Sequence, residues 1–194
     1  MLSVQSNLAN TYRALGRFEH ALRLRRDVYS GYLKRYGKEH RETLVAAFNY
    51  AISLQDLERF EEAKSVLRKT MPVARRVLGD NDRLTLKMRW LHAAALYKDP
   101  AATEDDLREA VAMFEDVDPI ARRVLGSSNP VANAIECSLR NARAALAARE
   151  GDDVGAVRAA LGLVLALLRS APQLLAFRRT VRGGGLPAGA AGQS

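Results

Sequence analysis

The sequence repeats itself at a spacing of 42 residues, and this spacing constrains the fold more than any other feature. A displacement by 42 positions brings the tripeptide RFE at 17–19 onto RFE at 59–61. Later the spacing becomes 47, as the hexapeptide ARRVLG shows by its recurrence at 74–79 and 121–126. The five extra residues fall within DPAATEDD (99–106). A fixed period of this length indicates an array of stacked supersecondary units.

Each unit has the pattern of two helices. In the first unit Val4, Leu8, Tyr12 and Leu15 recur at steps of three or four residues, the spacing of one helix face. A glycine follows each predicted second helix, at 37, 79 and 126. Because no alternating strand pattern occurs in the sequence, we expect an all-α fold of antiparallel helix pairs. Three clear units are predicted at about 3–40, 41–82 and 83–128, with an eroded fourth at 129–170.

Two prolines occupy equivalent places in successive units, Pro72 and Pro119. A proline inside a helix removes a hydrogen bond and bends the axis. The sequence leaves two alternatives open here, a shared kink in the second helix or a helix boundary. Beyond a last helix predicted at 154–169, residues 171–194 form a basic tail rich in glycine and alanine, which we expect to be disordered.

The charge and cysteine content narrow the possible compartment and ligands. The formal net charge is +8, but residues 154–194 contain five arginines and no acid, so much of the excess belongs to the tail. With one cysteine the chain has no disulfide framework, which favours a reducing compartment. No secretory signal is visible, and the ten-residue apolar run at 159–168 is shorter than the roughly 20 residues of a membrane span. We therefore expect a cytoplasmic protein that does not enter a membrane.

The sequence lacks the constellations that catalysis or a cofactor would need. The three histidines, His20, His40 and His92, form no metal-ligand spacing with Cys137, and no phosphate-binding loop is present. Acidic clusters lie where second helices begin, where they suit the helix dipole. We predict no enzyme activity, no metal and no cofactor. Binding to nucleic acid is the lesser alternative, because aromatic residues make up only 6% of the chain and the paired arginines suit helix ends.

The segment NLANTYRALGRFEHAL (7–22), echoed as NYAISLQDLERFEEAK (49–64), resembles a tetratricopeptide repeat. With the period of 42 and the V-L-G endings at 77–79 and 124–126, the chain over roughly 3–150 resembles the repeats of kinesin light chains. This resemblance implies a right-handed superhelical solenoid whose first helices line a concave groove. It further implies a non-catalytic scaffold that binds peptide segments of partner proteins. The alternative is a cargo adaptor on a microtubule motor, in complex with a kinesin heavy chain.

The groove positions that the resemblance assigns to the first helices carry amides, cations and aromatic rings. Asparagine offers a donor and an acceptor to the backbone of an extended peptide, whereas the cations would attract acidic side chains. Trp90 and Tyr97 could frame an apolar anchor, although Trp90 also fits a place in the core. The predicted peptide-binding residues are Asn7, Asn10, Arg13, Asn49, Gln55, Lys87, Trp90 and Tyr97.

Overall fold

The computed structural model describes residues 2–151 and Leu161. It contains two compact units, Met1–Ala148 and Arg149–Ser194, and the fold described below is that of the first. The helix predicted at 154–169 and the tail predicted at 171–194 lie outside the described residues.

The described part of the chain is helical throughout and contains no strand, as predicted. Each helix packs against the next along the chain, so the predicted pairs stack into one array. Residues 130–151 are also helical and are called α7 here. The other helices are α1 (Leu2–Ala14), α2 (Phe18–Tyr36), α3 (Arg41–Asp56), α4 (Phe60–Leu78), α5 (Arg83–Lys98) and α6 (Glu104–Leu125).

Small residues lie where the two helices of each pair cross. The repeat brings an alanine to the same place in the first helix of three units and another to the same place in the second helix. All six are at most 1% exposed: Ala9, Ala51, Ala93, Ala21, Ala63 and Ala110. Because alanine has no side chain beyond Cβ, the paired helices can approach closely, and larger side chains fill the space on either side.

Each of the second helices α2, α4 and α6 ends at a glycine, as the sequence predicts. Gly37, Gly79 and Gly126 follow α2, α4 and α6. Their φ values are 79°, 90° and 95°, which residues with a Cβ rarely adopt. Each of these glycines donates its N–H to the carbonyl four residues earlier. At the other end of α6, Thr103 and Asp106 form a reciprocal capping box, as the T-x-x-D spacing predicts.

The structure decides between the two alternatives for the prolines. The α4 helix continues through Pro72 and α6 continues through Pro119, so the boundary alternative is wrong. The valine of the hexapeptide ARRVLG suggests by its apolar side chain a place in the core beside Ala74, and this prediction is wrong: Ala74 is buried, but Val77 is 42% exposed. Leu78, four residues after Ala74, shares its helix face and packs on the core, whereas Val77 points away from that face.

Candidate functional site

The first helices α1 and α3 line a cavity whose remaining wall comes from α2. Its volume is about 130 Å³, enough for a side chain or a short stretch of main chain. The lining is mostly polar, with serine and asparagine side chains and one carboxylate beside a tyrosine ring. The lining residues are Ser3, Ser6 and Asn7 of α1, Val28 and Tyr32 of α2, and Glu42, Val45, Ala46 and Asn49 of α3.

Two of the predicted groove residues, Asn7 and Asn49, lie in this cavity. Asn7 is exposed and Asn49 is half-buried. Within the described residues neither side-chain amide has a hydrogen-bond partner, although both backbone carbonyls accept side-chain donors. Their side-chain donors and acceptors are therefore available to a ligand from two neighbouring units.

Asn10 and Arg13 are already engaged within the protein. Arg25 donates from Nη2 to Oδ1 of Asn10 at 2.9 Å. Arg13 donates from Nε and Nη2 to the two carboxylate oxygens of Asp56, at 2.5 and 2.9 Å. This bidentate hydrogen bonding raises the pKa of Arg13, with burial opposing the shift. Arg13 therefore ties the first unit to the second, Asn10 is bonded within the first unit, and both are only partly available to a ligand.

Arg25 fills a core position that the other units give to apolar side chains. The equivalent residues, Leu67 and Phe114, are fully buried, and Arg25 is only 5% exposed. Its guanidinium donates to the carbonyl of Asn49 at 2.8 Å and to Oγ of Ser53 at 3.1 Å. Burial lowers its pKa, the charge of Arg13 adds to the lowering and Asp56 opposes it. Arg25 thus joins three helices through neutral acceptors.

Sequence reasoning did not single out Arg25 as a structural residue. The signal was present in the repeat itself, because a cation stands at 25 where displacement by 42 and then 47 gives leucine and phenylalanine. A charged residue at an otherwise apolar repeat position indicates a buried polar network, since an unpaired buried charge is costly.

The two aromatic site residues predicted on α5, together with Gln55, make contacts within the protein. Gln55 donates from Nε2 to the carbonyl of Leu91 at 2.7 Å. Trp90 donates from Nε1 to Oγ of Ser138 at 3.1 Å and packs against the core cluster around Phe114. Tyr97 meets the ring of Phe114 edge-on, with ring centroids 5.8 Å apart. None of these side chains lines the cavity between α1 and α3.

Two cations of α5, Lys87 and Lys98, remain accessible. Lys87 is half-buried and Lys98 is exposed, and neither has an ion-pair partner within the described residues. The ammonium of Lys98 lies 5.9 Å from the centroid of the Tyr97 ring. The neighbouring Arg89 is buried and paired with Asp116 of α6, so it belongs to the packing between helices. Among α1, α3 and α5, cations without an ion-pair partner in the described residues therefore lie on α5.

The α5 helix also contains a buried histidine. His92 is 4% exposed, and neither ring nitrogen has a hydrogen-bond partner within the described residues. Burial lowers its pKa from 6.5 to about 4, and the charges of Arg68 and Lys64 contribute. No group of three or more potential metal ligands occurs in the part of the chain that the structure describes.

A family model described as tetratricopeptide repeat matches residues 1–76. The predicted tetratricopeptide resemblance is confirmed. Among solved structures, the chain is similar to a putative kinesin light chain from Podosopora anserina with nearly identical TPR-like repeats. The two share 24% identity at a TM-score of 0.66, over 88% of this chain and 76% of that one.

A second similar structure is BtubC (BKLC) from P. vanneervenii, with 16% identity, a TM-score of 0.57, and coverage of 100% of this chain and 68% of that one. Both likenesses concern the tetratricopeptide fold. No curated protein matches the chain. No helix in the described residues is long and apolar enough to cross a membrane.

Proposed function

We propose that the chain is a non-catalytic scaffold that holds an extended peptide segment of a partner protein along its first helices. The observation that carries the proposal is the cavity between α1 and α3, where two asparagines from successive units have free side-chain amides. An extended peptide leaves its backbone N–H and C=O groups unpaired, and the asparagine amides can satisfy both kinds of group.

The charges along the groove indicate which peptides would bind. Lys87 and Lys98 of α5 have no ion-pair partners in the described residues and would attract an acidic side chain. Glu42 in the cavity has no ion-pair partner within the described residues either, and its carboxylate would repel an acidic side chain. A peptide with its acidic residues at the α5 end therefore fits this surface better than a uniformly acidic one.

The proposal predicts that Asn7→Ala and Asn49→Ala weaken peptide binding without unfolding the protein. An array of short unstructured peptides with varied charge would identify a ligand, and titration calorimetry would give its affinity for each variant. Each lost hydrogen bond to the peptide should cost about 1 kcal/mol, roughly a fivefold loss of affinity.

The matched control is Asn133→Ala, which removes an exposed asparagine of α7 outside the cavity and should leave the affinity unchanged. Trp90→Ala is unsuitable as a probe of the groove, because Trp90 packs on the core. If Asn7→Ala and Asn49→Ala bind the peptide as tightly as the unaltered chain and Asn133→Ala, the cavity is not the binding site.

A narrower candidate is an adaptor that links cargo to a microtubule motor. It is favoured by the likeness of the fold to the putative kinesin light chain from Podosopora anserina. Pull-down from the native source followed by mass spectrometry tests it: recovery of a kinesin heavy chain would support the adaptor role. Recovery of other partners alone would favour a scaffold unconnected with motors.

A further inference from the structure

One face of α1 is apolar and uncovered. Val4, Leu8 and Leu15 are 69%, 44% and 65% exposed, and Thr11 is exposed between them. These positions are four, three and four residues apart, so they follow one side of the α1 helix and its end. None of them lines the cavity between α1 and α3. This surface, called the α1 seam here, is therefore separate from the proposed peptide site.

The internal repeat shows what the same face does in the other units. Of the eight residues equivalent to the seam in the second and third units, five are at most 4% exposed: Ala46 and Met88, equivalent to Val4, Ser53 and Ala95, equivalent to Thr11, and His92, equivalent to Leu8. The other three, Tyr50, Leu57 and Asp99, are half-buried. The face is therefore one that the fold normally packs against a neighbour.

The neighbour in the second unit is a helix. Tyr50, equivalent to Leu8, stacks on Tyr29 of α2 with ring centroids 6.1 Å apart. Ser53 receives a hydrogen bond from Arg25 of α2. In each such contact a second helix covers the first helix of the next unit. The partner that fits the α1 seam is therefore also a helix with an apolar face.

We propose that the α1 seam pairs two copies of this chain, with their α1 helices packed antiparallel across a two-fold axis. An axis midway between Leu8 and Thr11 places Val4 opposite Leu15 of the second copy and Leu8 opposite Thr11 of the second copy. Each residue then has an apolar or small partner across the axis. The spacing thus makes the seam complementary to itself, as a two-fold interface requires.

The charge of α1 also favours a second copy. The helix contains no acidic residue, and its one charged residue, Arg13, is paired with Asp56. Two seams can therefore meet without repulsion between like charges. A single helix per copy buries less surface than the roughly 800 Å² that each partner buries in a standard interface. We therefore expect a dissociation constant for the dimer in the micromolar range.

Sedimentation of the full chain over the micromolar range tests the pairing. The unaltered chain should pass from monomer to dimer as its concentration rises. Leu8→Lys would bring two ammonium groups close together near the axis and should weaken the dimer at least tenfold. The control Val77→Lys changes an exposed apolar residue of α4 and should leave the dimer unchanged. Circular dichroism of both variants checks that the helices persist.

Disulfide trapping tests the antiparallel arrangement. With Cys137→Ser removing the native thiol, chains carrying Val4→Cys and chains carrying Leu15→Cys should cross-link when mixed and not when oxidised separately. A chain that stays monomeric at all concentrations would overturn the proposal. So would a dimer that survives Leu8→Lys, or cross-linking of the Val4→Cys chain with itself alone. A monomer that instead binds a synthetic peptide of residues 18–36 would also overturn it, and would assign the seam to the second helix of another repeat unit.

Discussion

Two of the eight predicted site residues, Asn7 and Asn49, line one cavity, and both keep free amides. That the two residues share a helix face could be predicted, because the 42-residue repeat places them at equivalent positions of successive first helices. The engagement of Asn10 and Arg13 could not, since it depends on Arg25 and Asp56, whose side chains cross between units. A repeat pattern specifies equivalent positions, but it does not specify which polar side chains reach each other.

The buried guanidinium of Arg25 should contribute strongly to stability. Arg25→Ala removes three hydrogen bonds and leaves a cavity beneath α1 and α3, and it should lower the free energy of unfolding by about 3 kcal/mol. Arg25→Leu places the residue of the second unit at this position and should cost less, because leucine refills the space. Urea unfolding of both variants measures the difference. Equal losses for alanine and leucine would show that the polar network, and not the filled volume, sets the cost.

His92 should make the fold sensitive to acid. Its pKa in the folded chain is about 4, below the 6.5 of an exposed histidine, so the unfolded chain binds the proton more readily. The free energy of unfolding is therefore unaffected by the protonation of His92 above pH 6.5. It falls as the pH drops from 6.5 toward 4, by up to about 3 kcal/mol.

His92→Leu should remove this part of the acid dependence when unfolding by urea is followed at several pH values. The exposed His20 provides the control, and His20→Gln should keep the dependence of the unaltered chain. An identical fall in stability for His92→Leu and the unaltered chain between pH 6.5 and 4 would contradict this account.

Some helix ends could be predicted from the local sequence, and others could not. Gly37, Gly79 and Gly126 and the Thr103 capping box marked helix ends, because a left-handed backbone and an orphan N–H at a helix start each favour few residue types. Pro72 and Pro119 were ambiguous, since a proline can end a helix or be held inside it by packing on both sides. Tertiary packing decides that choice, and a single sequence does not display it.

Gly79 should be hard to replace. Its φ of 90° and ψ of 160° lie in a region that only glycine adopts readily, although a Cβ there would meet no atom within 4 Å. Gly79→Ala should therefore lower the free energy of unfolding by about 1–3 kcal/mol through backbone strain alone.

Gly31→Ala in the middle of α2 is the comparison. An added Cβ would come within 2.6 Å of the flexible end of Leu2, which can turn away, and alanine favours the helix. Thermal unfolding should rank Gly79→Ala as the more destabilising change. The opposite ranking would show that packing against Leu2 matters more than the left-handed backbone of Gly79.

At the scale of the whole molecule, the period of 42 residues predicted the stack of helix pairs, because no pair can bury its apolar stripe alone. The ion pairs that join successive units were not predicted. Arg76 pairs with Glu39 at 2.6 Å, and Arg143 pairs with Glu115 at 2.6 Å. These contacts are exposed and depend on the rotation from one unit to the next, which the sequence pattern does not specify.

The central claim is that a peptide binds in the cavity between α1 and α3. Side-chain amide resonances of the ¹⁵N-labelled chain, followed by NMR during titration with an array-selected peptide, test it most directly. The account predicts that the NH₂ signals of Asn7 and Asn49 shift together. The signal of Gln55 should stay in place, because its amide is bonded to the carbonyl of Leu91. Saturable binding that leaves the signals of Asn7 and Asn49 unmoved would contradict it.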